Sequence, residues 1–195
     1  MSQSQSQSKS QSQSQSEDEG KSIDVAYIRS MIREYPDFPQ RGVLFRDIGP
    51  LLKSSKAMRY IADVFYEYFE DEGVTLIAGI ESRGFIVAAL LASRFNTGMV
   101  MIRKQGKLPG KTRRMEYTIE YGRAVMELQE GIIDAKDRVL VADDLIATGG
   151  TAIAAAKLIE SIGASVAGFA FIVELSALRG RELLKNYKVH SLVVY

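Results

Sequence analysis

The chain has 195 residues and sets 25 Lys and Arg against 24 Asp and Glu, a formal net charge of +1 that argues against nucleic-acid binding driven by bulk electrostatics. It contains no Cys and a single His, His190, so a disulfide framework, a thiolate nucleophile, a Cys-based zinc site, a His-based triad and a multi-His metal site are excluded. No apolar run reaches membrane-spanning length and nothing resembles a signal peptide, so a soluble, intracellular protein is expected.

Residues 2–16 repeat Ser-Gln, interrupted by Lys9, and run into Glu17-Asp18-Glu19-Gly20. Nothing there can be buried to offset the entropy of ordering the chain, so residues 1–21 are expected to form a disordered tail and residues 22–195 a single domain. Ser22 and Asp24 can start a helix, with Ile23, Tyr27 and Met31 on one stripe, and it must end before Pro36. A longer amphipathic helix is expected over 54–72, with Met58, Ile61, Phe65 and Phe69 on one face.

From Gly73 onward the pattern alternates. Apolar runs at 74–80, 98–102, 138–142, 166–174 and 191–195 have the length of buried parallel strands, and helical stretches at about 84–95, 149–161 and 176–186 separate several of them. Residues 116–129 look like a two-stranded antiparallel excursion between the second and third strands. The expectation is an α/β fold: a doubly wound, mostly parallel five-stranded sheet with ligands at the carboxyl ends of its strands.

Four segments carry chemistry. Residues 139–151 read Val-Leu-Val-Ala-Asp-Asp-Leu-Ile-Ala-Thr-Gly-Gly-Thr: an apolar strand ends at Asp143 and Asp144, and Thr148-Gly149-Gly150-Thr151 opens an alanine-rich helix. The carboxylates can accept hydrogen bonds from vicinal sugar hydroxyls, while the glycine backbone and the positive helix end can hold a phosphate. Together they point to a phosphorylated ribose. Neither a Walker A loop nor a Gly-x-Gly-x-x-Gly turn is present here.

Ile80-Glu81-Ser82-Arg83-Gly84 forms a tight turn at the end of the first core strand, where amides and the Arg83 guanidinium suit phosphate oxygens. The basic, Gly- and Pro-rich stretch from Arg103 to Lys111, including Lys107, is either a solvated loop or the start of a lid that shields a reactive sugar cation from water. That lid would run from about 104 to 121 and end at Glu120-Tyr121. Pro36-Asp37-Phe38-Pro39 through Gly42-Val43-Leu44-Phe45-Arg46-Asp47-Ile48 is too apolar for a casual loop. Phe45 and Arg46 can form a flat stacking surface, and Val43 and Leu44 can offer backbone groups to a base edge.

The acid pair and Thr-Gly-Gly-Thr resemble the phosphoribosyl-pyrophosphate (PRPP) loop of the type I phosphoribosyltransferases. Taken with Glu-Ser-Arg-Gly-Phe, Arg-Lys-x-Gly-Lys-Leu-Pro-Gly, Tyr-x-x-Glu-Tyr-Gly, Val173-Glu174-Leu175 and Leu178-Arg179-Gly180-Arg181-Glu182, the order and spacing are similar to the adenine phosphoribosyltransferase family from about residue 23 to the C-terminus. The resemblance implies a small N-terminal hood over about 22–53, a flexible antiparallel lid, and the reaction of adenine with PRPP to give AMP and pyrophosphate, with Mg²⁺, in purine salvage. It further implies a cytoplasmic homodimer acting on small molecules and a cis peptide at Glu81-Ser82.

By carry-over, Asp143 and Asp144 would meet the ribose hydroxyls and, directly or through water, the metal. Ala147, Thr148, Gly149, Gly150 and Thr151 would hold the 5′-phosphate. Glu81, Ser82, Arg83 and Lys107 would hold pyrophosphate, with Arg103 reaching it from a neighbouring subunit. Adenine would meet Val43, Leu44, Phe45 and Arg46, stacking on Phe45. Glu120 would exchange a proton with the purine, because Ala147 stands where enzymes for 6-oxopurines usually carry an Asp. Two alternatives remain open on sequence grounds: a non-catalytic PRPP-binding regulator and a phosphoribosyltransferase for another purine.

Overall fold

A computed structural model describes residues 23–119 and 122–195, so the Ser-Gln tail, Glu120 and Tyr121 lie outside the described residues. In chain order the elements are α1 (Val25–Ser30), β1 (Arg33–Pro36), β2 (Leu44–Asp47), α2 (Gly49–Lys53), α3 (Ser55–Phe69), β3 (Leu76–Ile80), α4 (Gly84–Phe95), β4 (Gly98–Lys104), β5 (Thr112–Ile119), β6 (Gly122–Gln129), β7 (Arg138–Ile146), α5 (Gly150–Glu160), β8 (Ser165–Glu174) and β9 (Val189–Val194). Seven strands join in the order β5-β6-β4-β3-β7-β8-β9. The five from β4 to β9 are parallel, and the β5–β6 hairpin adds antiparallel to β4.

Strand periodicity sorts the core into two layers. Val139 and Val141 face α5 with Phe169, Phe171, Ala155 and Leu158, while Leu140 and Ala142 face α3 and α4 with Phe65, Phe69 and Leu91. This two-sided burial is why β8 is apolar for most of its length rather than alternating. The expected face of α3 is found with Ile61, Phe65 and Phe69 buried and Met58 half-buried. Ser54 caps that helix, its side chain accepting from the Ala57 amide.

The N-terminal region departs from the pattern reading. Asp24 caps α1 by accepting from the Tyr27 amide, but the helix ends at Ser30 and Ile28 is its buried residue. Ile23, Tyr27 and Met31 are only partly buried. The chain then extends through Pro36 to pair antiparallel with β2, an element that pairing alone creates: a four-residue run has too short a period to be read in sequence. Residues 176–186 are a correction as well. They form two short 3₁₀ turns, Ser176–Leu178 and Gly180–Leu184, because Arg179 between them adopts φ 54°, which ends any helix.

Beyond the hairpin, strand order β4-β3-β7-β8-β9 reverses direction between β3 and β7, since the chain winds outward to β4 first and then back to β7. In sheets of this kind the carboxyl ends of the two strands flanking the reversal open a crevice for ligands. The segments after β3 and after β7 are the two richest in chemistry.

Candidate active site

Strand β7 runs four residues past the expected end. It pairs with β3 only as far as Ala142 and with β8 as far as Ile146, so Asp143 and Asp144 stand on a strand whose β3 neighbour has already turned away. The Asp144 amide donates to Asp143 Oδ1 at 2.8 Å. Burial, and then the adjacent Asp144 carboxylate, push the Asp143 carboxyl well above the usual aspartate range. Burial also raises Asp144, against the Arg83 guanidinium, whose Nε lies 2.8 Å from Asp144 Oδ2. That oxygen is buried and makes no well-directed hydrogen bond among the described residues. The pair is therefore arranged to receive donors or positive charge.

Gly149 follows at φ 77° as the residue before α5, and no side chain caps that helix. Its first-turn amides consequently keep their donors for an anion, at the positive end of the helix. Asp143, Leu145, Ala147, Thr148, Gly149 and Thr151 line a cavity of about 190 Å³ there. Tyr117, from β5, lines a small cavity with Thr151 and so brings the hairpin against the start of α5.

Across the crevice, the Glu81-Ser82 peptide is cis, as the resemblance implied. Gly84 lets α4 begin directly against β7: a Cβ there would meet Asp143 Oδ1 at 2.8 Å and the Ala142 carbonyl at 2.9 Å. Arg83 therefore projects from a fixed helix start toward the acid pair. Glu81 Oε2 accepts from Arg103 Nε at 3.2 Å and from the Lys104 amide at 3.0 Å. Burial alone would raise its pKa, but these donors hold it below the usual glutamate range. Arg103 also donates to the Lys107 carbonyl at 3.0 Å. Ser82 and Lys107 are exposed.

A buried carboxylate on the hairpin carries no motif that marks it in sequence. Glu127 on β6 is 1% exposed and sits under the loop that carries Lys107. Its Oε1 accepts from the Lys107 and Leu108 amides at 3.0 and 3.1 Å, and its Oε2 accepts from the Thr112 hydroxyl at 3.2 Å. Burial works against the charge, yet these donors hold the carboxyl below the usual range. The available signal was a lone carboxylate inside the apolar run Val125-Met126-Glu127-Leu128.

The hood splits its residues by strand alternation, so Phe45 and Arg46 face opposite sides and do not form the shared stacking surface expected of them. Val43, Leu44 and Arg46 line a cavity of about 730 Å³ together with Ala147, Leu175 and Tyr195. Arg46 lies 3.4 Å from the Tyr195 ring centroid and pairs with Glu34. Phe45 instead packs edge-on to Phe38 at 5.1 Å, with the Arg83 guanidinium 5.1 Å from its ring. Phe45 thus connects through Arg83 to the acid pair, while its neighbours connect through Ala147 to the glycine loop. Leu175 and Tyr195 were not foreseen, because apolar C-terminal residues carry no mark separating a cavity wall from the core. Glu120 lies outside the described residues.

Residues 48–193 match the phosphoribosyl transferase domain family. The adenine phosphoribosyltransferase of Nitrosopumilus maritimus is 56% identical over 168 residues, covering 86% of this chain and 99% of that protein. The chain belongs to the adenine phosphoribosyltransferase family. Among solved adenine phosphoribosyltransferases, that of Rhodothermus marinus superposes with a TM-score of 0.85 at 41% identity, covering 88% of this chain and 98% of its own. The Saccharomyces cerevisiae adenine phosphoribosyltransferase, solved with an imino-altritol bisphosphate and adenine, superposes with a TM-score of 0.81 at 37% identity, covering 86% and 97%.

Proposed function

We propose that this chain transfers the 5-phosphoribosyl group of PRPP to adenine, giving AMP and pyrophosphate. The observation that carries the reading is an acid pair, Asp144 buried and Asp143 half-buried, and an uncapped, glycine-led helix start, side by side at the sheet's reversal point. A diol acceptor next to a phosphate cradle is the chemistry that a ribose 5-phosphate needs.

The difficult step is loss of pyrophosphate from the anomeric carbon, which leaves an oxocarbenium-like ribose. Asp143 and Asp144 orient the sugar through its hydroxyls and supply negative charge near the developing cation. The 147–151 loop holds the 5′-phosphate. Arg83 and Lys107, with Ser82, receive the departing pyrophosphate, Arg103 reaches it from the neighbouring subunit, and Glu81 fixes Arg103 and the Lys104 backbone of its own chain from beneath. Val43, Leu44, Phe45 and Arg46 recognise adenine. Glu120 exchanges a proton with the purine ring, since Ala147 has no group to do so.

Mg²⁺ is part of the proposal. Among the described residues no cluster of three or more His, Cys, Asp or Glu side chains could cage a metal. The buried Asp144 Oδ2 without a directed donor nevertheless fits an ion held chiefly by substrate oxygens and water, with the acid pair as its outer partners. The ion would neutralise charge building on the leaving group. A cytoplasmic homodimer completes the reading, on family likeness. No helix among the described residues is long and apolar enough to cross a membrane.

The test is a purine panel with purified protein, PRPP and Mg²⁺. AMP formed from adenine, with hypoxanthine and guanine idle, is the expected result. Turnover confined to hypoxanthine or guanine would move the protein to another substrate class, and PRPP binding without turnover on any purine would make it a regulator.

A further inference from the structure

The glycine loop does not stand alone. It is pressed from behind by the Arg179–Gly180 backbone. A Cβ on Gly180 would lie 2.2 Å from the Ala147 carbonyl oxygen, 2.7 Å from the Gly149 amide nitrogen and 2.9 Å from the Thr148 carbonyl carbon. Reciprocally, a Cβ on Gly149 would lie 2.4 Å from the Gly180 carbonyl oxygen. Gly149 has φ 77° and needs glycine for its own conformation, but Gly180 adopts no left-handed backbone. Space is therefore the only demand for glycine at 180. Two main chains cross there with no side chain between them.

The outer chain of this crossing is anchored. Arg181 forks onto Glu174 at the end of β8, its Nε 3.1 Å from both carboxylate oxygens and its Nη2 2.6 Å from Oε2. The same guanidinium donates to the Val189 carbonyl at 3.0 Å and the Ser191 hydroxyl at 3.1 Å on β9. Leu184, three residues after Arg181, is fully buried. The Leu175 amide donates to the Ile146 carbonyl at 3.0 Å, fixing the start of the segment to the end of β7.

We propose that Gly180 is a positioning residue: its backbone, clamped by the Arg181–Glu174 fork, sets the height of the Ala147–Gly149 loop and thereby aims the α5 amides at the 5′-phosphate. The proposal deepens the reading of that loop as the 5′-phosphate site and rests on it. It explains why Gly180 stands in this segment although no substrate role falls to it. Displacement of the loop by one methyl group would spoil the anion cradle while leaving the pyrophosphate side of the crevice, across β3, in place.

The test measures Gly180→Ala and Arg181→Gln against the wild type, by titration with ribose 5-phosphate and with Mg-pyrophosphate, and by KM for PRPP. For Gly180→Ala, ribose 5-phosphate affinity and KM for PRPP should worsen about tenfold or more, as misplacement by roughly an ångström can. Mg-pyrophosphate affinity should stay within about twofold of the wild type, a split that general loosening would not produce. Arg181→Gln adds nothing to the crossing and relaxes its anchor, so it should show the same selective loss to a smaller extent, and it decides the matter if Gly180→Ala does not fold. Unchanged ribose 5-phosphate affinity in a folded variant, or equal loss for both ligands, overturns the proposal. Failure of the wild type itself to bind ribose 5-phosphate would instead overturn the reading of the loop.

Discussion

Asp143 carries a conflict between stability and binding. Its folded pKa is raised, so the folded state holds a proton that the unfolded chain releases. Stability contributed by the protonated form is full below the ordinary aspartate pKa of about 3.9 and is lost as pH rises toward the raised value. Ionising Asp143 in the folded protein therefore costs stability, a cost that a sugar diol or a cation relieves. Asp143→Asn keeps the acceptor for the Asp144 amide and removes the charge conflict. It should raise the melting temperature at pH 7 by about 2–4 °C, the shift expected for roughly 1 kcal/mol in a chain of this size. The gain should grow with pH across that window and vanish below it. PRPP affinity should meanwhile fall about 10- to 100-fold, as loss of charge-assisted hydrogen bonds implies. Calorimetry of both proteins over a pH series, alongside titration, reads both effects; a variant no more stable at pH 7 than at pH 4 would refute this account of Asp143. Glu120→Ala should lower turnover much more than PRPP affinity, and equal losses in a kcat and binding comparison would remove its proton-transfer role.

Among the elements, the hairpin and the loop before it depend on Glu127. One buried carboxylate gathers the Lys107 and Leu108 amides and the Thr112 hydroxyl, so a loop rich in glycine and proline gains a fixed floor. Glu127→Gln can keep Oε1 for the two amides and donate to the Thr112 hydroxyl, but it removes the charge those amides face and sets a donor against the Arg114 guanidinium, 3.4 Å from Oε2. Mg-pyrophosphate affinity should weaken severalfold, on the order of one lost hydrogen bond to a charged group, with ribose 5-phosphate affinity retained. Because the folded Glu127 pKa is lowered, its contribution is present above the ordinary glutamate pKa of about 4.3 and is lost as pH falls through the lowered folded value. The stability gap between wild type and variant should close at acidic pH; a gap independent of pH would show that packing, not charge, is the cause. The elements also mark what a sequence can disclose. Strands buried on both faces and the α3 stripe stand out because their periods are long enough to read. The four-residue β1 and β2 are too short to show a period, and the turns around Arg179 depend on contacts with Glu174, β9 and the 147–149 loop that leave no periodic trace. The acid pair and glycine loop were legible as local chemistry, whereas Glu127, Gly180, Leu175 and Tyr195 act through neighbours that only folding assembles.

For the whole molecule, one continuous sheet brings together a phosphate cradle, an acid pair, a guanidinium and an apolar cavity from segments distant along the chain. The Nitrosopumilus maritimus protein aligns over 86% of this chain and 99% of its own length, so the unit they share is shorter than this chain. Removing residues 2–20 should leave the melting temperature within about 1 °C of the full chain, since surface changes away from packed contacts typically alter stability by no more than about 0.5 kcal/mol. A fall of several degrees would show that the tail packs on the domain. The central claim, that the turn after β7 grips the sugar phosphate, is tested most directly by a crystal structure with AMP and Mg-pyrophosphate. The 5′-phosphate should lie on the amides of Thr148 to Thr151, with the ribose hydroxyls on Asp143 and Asp144. Phosphate density elsewhere, with that loop bare, would contradict the account.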